Sequence, residues 1–212
     1  MIMPAYFSVT FEFHKSQDAV RTFCEALIHS GLVFKSGCWE YEKDSFEDII
    51  TWNQSKLDAD FELGYTQHYL QGYKQIQFHY FNFSEVRLFI MNTRGESTFS
   101  FELIIPEDDL REYTREKDGN YFEILKPGRM ELLISVSKEI WADTSVLAIQ
   151  TGWEGSDIPP SAEEIAGGTW PQIEPFCIIS SSDERKAVFT YECIGRNGLL
   201  IEDRVKWNCH GI

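Results

Sequence analysis

The chain has 212 residues, of which 43% are apolar and 15% aromatic, a composition typical of a protein that folds around a packed core. It carries 19 Lys and Arg against 34 Asp and Glu, which gives a formal net charge of −15 at pH 7. This charge repels nucleic-acid phosphates and anionic lipid surfaces, so we expect neither nucleic acid nor a membrane as a partner. It favours a basic protein or a cationic ligand, or serves solubility alone.

Cysteine use indicates a reducing compartment. The cysteines are odd in number and include no short-spaced pair that could form a zinc or redox site, so we predict reduced thiols in the core, with no metal and no other cofactor. A metal site at Cys209 and His210 would need further cysteines to converge on that pair. The sequence shows neither a secretory signal nor an apolar run of about 18 residues, and we expect a cytoplasmic protein. The cysteines are Cys24, Cys38, Cys177, Cys193 and Cys209.

The first part of the chain predicts a β-α-β unit. Apolar and polar residues alternate over residues 7–13, the period of a half-buried strand. A helix follows, for which Ser16 can serve as the N-cap and Gly31 as the left-handed residue after its end. Residues 32–42 predict the second strand, with a bulge at Gly37.

The next segment predicts a helix and then three strands. Ser45 and Asp48 have the spacing of a capping box at the start of the helix. Residues 59–73 have weak periodicity, and we interpret them as a loop or an irregular strand. Between residues 73 and 106, apolar residues alternate in three runs joined by short turns, which predicts an antiparallel meander.

The third segment predicts two helices and a central strand. Pro106 and the three acidic residues after it are typical of the first turn of a short helix. Residues 130–141 fit one helix face; a strand over 130–136 would also alternate, but the pattern extends beyond a typical strand length. Residues 146–149 are apolar without alternation, which indicates a strand covered on both faces.

The closing segment predicts a short helix and a hairpin. Ser161 and Glu164 fit a capping box, and the glycines at 167 and 168 end that helix. Strands follow over 173–180, 187–194 and 199–207, and the last two are joined by a turn at residues 196–198, which contain the dipeptide Asn-Gly.

Together these elements predict an α+β fold. We expect a predominantly antiparallel (mixed) β-sheet with three to five helices, which opens with a β-α-β unit and closes with a β-hairpin unit. No linker or internal repeat interrupts the chain. Residues 1–212 are therefore predicted to form a single compact domain, with possible sub-lobes at about 1–106 and 107–212.

The loop over residues 151–160 is the best candidate site in the sequence. It leaves the strand predicted to be most buried and offers Trp153, Glu154 and Asp157 between glycines. Its carboxylates could transfer protons, hold a cation or contact basic side chains of a partner. The alternative is a solvated connection whose tryptophan closes the edge of the core.

Tryptophan is frequent in this chain and is enriched among the anchors of protein interfaces. Trp52 and Trp141 lie on predicted helices near the apolar face, so we expect them to pack in the core. Trp153 and Trp170 remain as possible anchors for a partner.

Charge gives the first functional hypothesis, because no motif of a known catalytic mechanism occurs. We expect a non-enzymatic acidic binding protein, a cytoplasmic inhibitor or immunity-type protein that neutralises a basic partner such as a nuclease-like toxin. The alternatives are a small-molecule-binding protein or a hydrolase-like enzyme that uses the carboxylates of the 151–160 loop, with an enclosed pocket, and a structural subunit. The residues expected to contact the partner are Glu107, Asp108, Asp109, Trp153, Glu154, Asp157, Trp170, Asp183 and Glu184.

Overall fold

The α+β prediction is confirmed by a computed structural model, which describes residues 5–62, 73–115, 121–180 and 190–203. These residues form five helices and eleven strands. The strands are β1 Tyr6–His14, β2 Val33–Gly37, β3 Ile76–His79, β4 Val86–Met91, β5 Thr98–Pro106, β6 Arg111–Arg115, β7 Tyr121–Leu125, β8 Ala148–Trp153, β9 Phe176–Ser180, β10 Thr190–Ile194 and β11 Gly198–Glu202. The helices are α1 Ala19–His29, α2 Phe46–Asp58, α3 Glu107–Leu110, α4 Pro127–Asp143 and α5 Ala162–Ala166.

Nine of the strands form one sheet, in the order β10, β11, β9, β8, β1, β5, β4, β3 and β2. Every neighbouring pair is antiparallel, as predicted for the meander of β3, β4 and β5. The first strand, β1, lies in the middle of the sheet, between β5 and β8. Strands β6 and β7 form a separate hairpin that the sequence did not predict.

One face of the sheet packs against α1, α2 and α4. The odd-numbered side chains of β1 are buried there because the strand alternates, and they include an aromatic cluster around Phe23 of α1. The Phe23 ring stacks on Phe101 of β5 with 4.1 Å between ring centroids. Phe11, Phe13 and Phe99 surround this pair with tilted or edge-on rings.

The opposite face is only partly covered. Helix α5 packs over β8, β9 and β11 through a second apolar cluster that includes Ile165, Cys177 and Ile201. The even-numbered residues of β1 face this side, and in the middle of the strand they are polar, namely Thr10 and Glu12. The polar part of the sheet next to α5 forms the floor of the cleft described below.

The closing hairpin is docked on α4. Arg196 and Asn197 have φ values of 55° and 54°, the left-handed conformation of the two central residues of a type I′ turn, and Gly198 of the Asn-Gly dipeptide is the first residue of β11. The indole N–H of Trp141 donates to the Gly195 carbonyl at 2.8 Å. A Cβ at Gly198 would lie 2.3 Å from Trp141 Nε1, so this close approach requires glycine.

The capping boxes and the helix choice for residues 130–141 are confirmed. Ser45 caps α2 together with Asp48, and Ser161 caps α5 together with Glu164. Helix α4 covers the whole segment for which a strand was the alternative.

Four sequence predictions were wrong. Ser16 does not cap α1, because the N-cap position is occupied by Asp18 and no side chain caps that helix. Strand β2 ends at Gly37, because the chain turns into a 3-10 helix at Trp39–Tyr41, and the register shift falls between Phe34 and Ser36. Cys193 is exposed on an edge strand and is not a core residue. The predicted core position of Trp52 is likewise corrected, because this side chain is exposed on α2. Residues 63–72 of the segment read as a loop lie outside the described residues.

Candidate functional site

The site residues predicted at α3 and at the end of β8 come together in space, but Glu107 among them is buried. Only 4% of Glu107 is exposed; its carboxylate pairs with Arg111 and accepts the Glu154 N–H at 3.1 Å. Glu154 in turn accepts the Tyr6 N–H at 2.8 Å. The Arg111 guanidinium lies 4.5 Å from the centroid of the Trp153 ring. This cluster ties α3 to the end of β8, and Glu107 does not belong to the accessible surface.

The other predicted contact residues are dispersed. Asp109 accepts two hydrogen bonds from Ser84, at 2.7 and 2.8 Å, whereas Asp108 and Asp157 are exposed. Trp170 is 50% exposed. Asp183 and Glu184 lie outside the described residues.

A cleft of 380 Å³ lies on the polar part of the sheet, and none of the predicted site residues lines it. One wall is formed by Ile158, Pro159 and Pro160, so the cleft borders the predicted loop without involving Trp153, Glu154 or Asp157. No Lys, Arg or His side chain from the described residues lines it. The acidic side chains that line it are Glu12, Glu62, Glu96, Glu102 and Glu164. We call it the acidic cleft.

The floor of the acidic cleft is built by three neighbouring strands. Thr10 of β1 lies opposite Glu102 of β5 on one side and opposite Gln150 of β8 on the other. Glu12 lies opposite Ser100, so Glu12 and Glu102 are diagonal neighbours on the same face, a spacing of roughly 7–8 Å in an antiparallel pair. Sheet register therefore brings together two carboxylates that are far apart in the sequence.

Two carboxylates of the cleft have opposite environments. Burial raises the pKa of Glu12, although its Oε2 accepts the Ala162 N–H at 2.6 Å and its carboxylate also bonds to Thr98. At the cleft rim, the Ser161 N–H, which donates to Glu164 at 2.7 Å, lowers the pKa of that carboxyl. The cleft thus contains a buried carboxyl, Glu12, for which burial disfavours the charged form, and an exposed carboxyl, Glu164, for which a hydrogen bond favours it.

Replacing Glu12 with Gln tests this assignment through the pH dependence of stability. A raised pKa favours the protonated folded state, so the stability that Glu12 contributes is present below its ordinary pKa of about 4.3 and is lost as pH rises through its folded-state pKa. We expect Glu12→Gln to be more stable than the parent at pH 8, and we expect the difference to shrink as pH falls toward 4. Urea unfolding across this range measures the difference, with Glu139→Gln at an exposed position of α4 as the control for losing one charge. A variant that is less stable than the parent at pH 8 would contradict the assignment.

The sequence signal for the cleft was present but incomplete. Thr10 and Glu12 alternate with buried phenylalanines in β1, and Ser100 and Glu102 do so in β5. These patterns mark a polar face on each strand. That the two faces adjoin is a property of long-range pairing, which sequence spacing does not contain.

Neither a metal centre nor a membrane-spanning helix is evident in the described part of the chain. No group of three or more His, Cys, Asp or Glu side chains in those residues is arranged to hold a metal ion. None of the helices described above combines the length and the apolar composition needed to cross a bilayer.

Fold and site together define an α+β protein with a nine-stranded antiparallel sheet and an acidic cleft on its partly open face. No protein family, curated protein or solved structure matches the chain.

Proposed function

We propose that this chain is a non-enzymatic acidic protein that binds and neutralises a basic protein, as a cytoplasmic inhibitor or immunity protein does for a nuclease-like toxin. The observation that carries the proposal is the acidic cleft, which five glutamates and no described basic side chain line. A concave site with one sign of charge concentrates its field and attracts groups of the opposite sign. For a basic partner, the glutamates of the cleft would take the place of the phosphates that it normally binds.

The helix-covered face of the protein differs in its charge pattern. There Arg21 pairs with Glu25 and Glu47, and Lys138 of α4 pairs with Glu192. Mixed charges of this kind cancel at a distance, because each cation lies beside an anion. The contrast supports the acidic cleft as the contact surface and favours it over an acidic surface in general.

The positions of the loop carboxylates bear on the enzymatic alternative. Glu154 and Asp157, which that alternative would use, do not line the acidic cleft. Glu154 is instead engaged by the Tyr6 N–H.

The proposal is tested with a fluorescent hexalysine peptide, whose association with the protein is followed by stopped-flow fluorescence at about 20 and about 200 mM salt. Neutralising three cleft residues together, Glu62→Gln, Glu96→Gln and Glu102→Gln, should slow association at low salt by about tenfold or more. The parent should lose most of its rate advantage at high salt, because exposed charges are screened.

The matched control carries the same change in net charge on α4, as Glu131→Gln, Glu139→Gln and Asp143→Asn, all exposed. We expect it to associate nearly as fast as the parent. Equal slowing in both variants would mean that net charge, and not the cleft, attracts the peptide, and the proposal would fail.

A further inference from the structure

The floor of the acidic cleft contains one hydroxyl group, that of Thr10, that has no hydrogen-bond partner among the described residues. Thr10 is only 9% exposed, it faces the cleft from the centre of the floor, and its hydroxyl makes no hydrogen bond to any residue that the structure describes. The Thr10 Oγ1 is not sealed from solvent, so a ligand in the cleft can bond to it. An unpartnered hydroxyl between Glu102 and Gln150 is a second sign, independent of charge, that the floor receives a polar ligand.

Asn92 at the rim adds a related observation. It is 3% exposed and lines the same cleft, and its amide orientation is set because Nδ2 donates to the Phe61 carbonyl at 2.7 Å. Its Oδ1 has no hydrogen-bond partner within the described ranges. Asn92 Oδ1 is a buried acceptor at the edge of the cleft, and together with the carboxylates that line the cleft it favours a ligand that supplies N–H or O–H donors.

The arrangement of the carboxylates decides what kind of cation fits. They do not converge as metal ligands do, since no described set of three acidic, His or Cys side chains could hold a metal ion. Glu12 and Glu102 are instead spread diagonally over two strands. A guanidinium carries five N–H donors in a planar fork and can reach separated acceptors, whereas an ammonium is a compact point charge with three donors.

The walls of the cleft suit the rest of an arginine side chain. Met91 lies on one side, and Ile158 and the two prolines after it lie on the other. Ile158 is 78% exposed, so its side chain is available to pack on a ligand. Apolar surface beside an acidic floor fits a side chain with an aliphatic stem and a weakly hydrated, charged head.

We infer that the acidic cleft receives an arginine side chain of the basic protein, with the guanidinium over Thr10 between Glu12 and Glu102. This inference rests on the proposed function and names the group that is recognised. Ile158 packs against the stem of the arginine, and the Thr10 hydroxyl accepts one guanidinium N–H.

The experiment compares three probes that each carry three positive charges: a capped peptide with three arginines, a capped peptide with three lysines, and spermidine. Their dissociation constants are measured by calorimetry with the full chain at low salt. We expect the arginine peptide to bind at least about tenfold more tightly than the other two probes. Thr10→Val, which keeps the shape of the side chain and removes its hydroxyl, should weaken the arginine peptide by about three- to tenfold and leave the lysine peptide nearly unchanged.

Two further variants complete the test, one as a control for the loss of a hydroxyl elsewhere and one for the wall of the cleft. Thr22→Val, at an exposed position of α1, should leave the binding of all three probes unaffected. Ile158→Ala, at an exposed position, should reduce the preference for arginine over lysine.

Each remaining outcome counts against a specific claim. If the arginine and lysine peptides bind within a few-fold of each other, and both weaken in the triple cleft variant, the arginine inference is overturned while the proposed function stands. Tighter binding of spermidine than of the arginine peptide would also overturn it, in favour of a polyamine. If no probe binds, or if binding ignores the cleft substitutions, both the inference and the proposed function fail.

Discussion

Replacing Phe101 with Ala is expected to lower the free energy of unfolding by about 3–5 kcal/mol, the range for removing a buried aromatic ring. Phe101 is fully buried in β5. Its ring stacks on Phe23 and meets Phe13 and Phe99 edge-on. Its loss would leave a cavity between the sheet and α1 that the rigid neighbouring rings cannot fill.

Urea unfolding monitored by circular dichroism measures this loss. The matched control is Phe81→Ala, because Phe81 is 73% exposed and its removal should change stability by no more than about 0.5 kcal/mol. Similar losses in the two variants would show that the aromatic cluster is not the centre of the core.

Replacing Arg111 with Leu should have a comparable effect for an electrostatic reason. The side chain of Glu107 is 5% exposed and that of Arg111 is 17% exposed. Without its partner, the Glu107 carboxylate would remain buried, with the Glu154 N–H at 3.1 Å as a hydrogen-bond donor. Breaking a buried pair in this way costs about 3–5 kcal/mol.

A double-mutant cycle separates the pair from the packing around it. Combining Arg111→Leu with Glu107→Gln should recover about half of the loss, because a neutral amide is cheaper to bury than a carboxylate. A single Arg111→Leu variant that loses less than about 1 kcal/mol would mean that water or another group compensates the carboxylate. Glu107 would then count as accessible to solvent, and so to a partner.

Local signals in the sequence predicted most of the elements. Ser45 and Ser161 marked helix starts because capping depends on residues three positions apart. The Asn-Gly dipeptide marked the place of the hairpin, although the two left-handed residues of the turn are Arg196 and Asn197. The β6–β7 hairpin was missed because Arg111–Arg115 carries charges at three of five positions and shows no alternation.

The acidic cleft could not be predicted in the same way. Its five glutamates come from β1, the residues after α2, the turn between β4 and β5, β5 itself and α5. Acidic residues adjacent in sequence drew attention to Glu107, where the charge is used internally by Arg111. The pairing of β1 with β5 and the packing of α5 across β8 bring Glu12, Glu102 and Glu164 to one cleft.

The central position of β1 has a consequence for how the protein is made. Its hydrogen-bonding partners are β5 on one side and β8 on the other, with Phe7 opposite Ile105 and Trp153. A nascent chain can pair β1 with β5 long before the ribosome has delivered Ala148–Trp153, and until then the second edge of β1 is a bare strand edge of the kind that captures other chains. The period most prone to aggregation therefore falls during synthesis, between the emergence of β5 and that of β8.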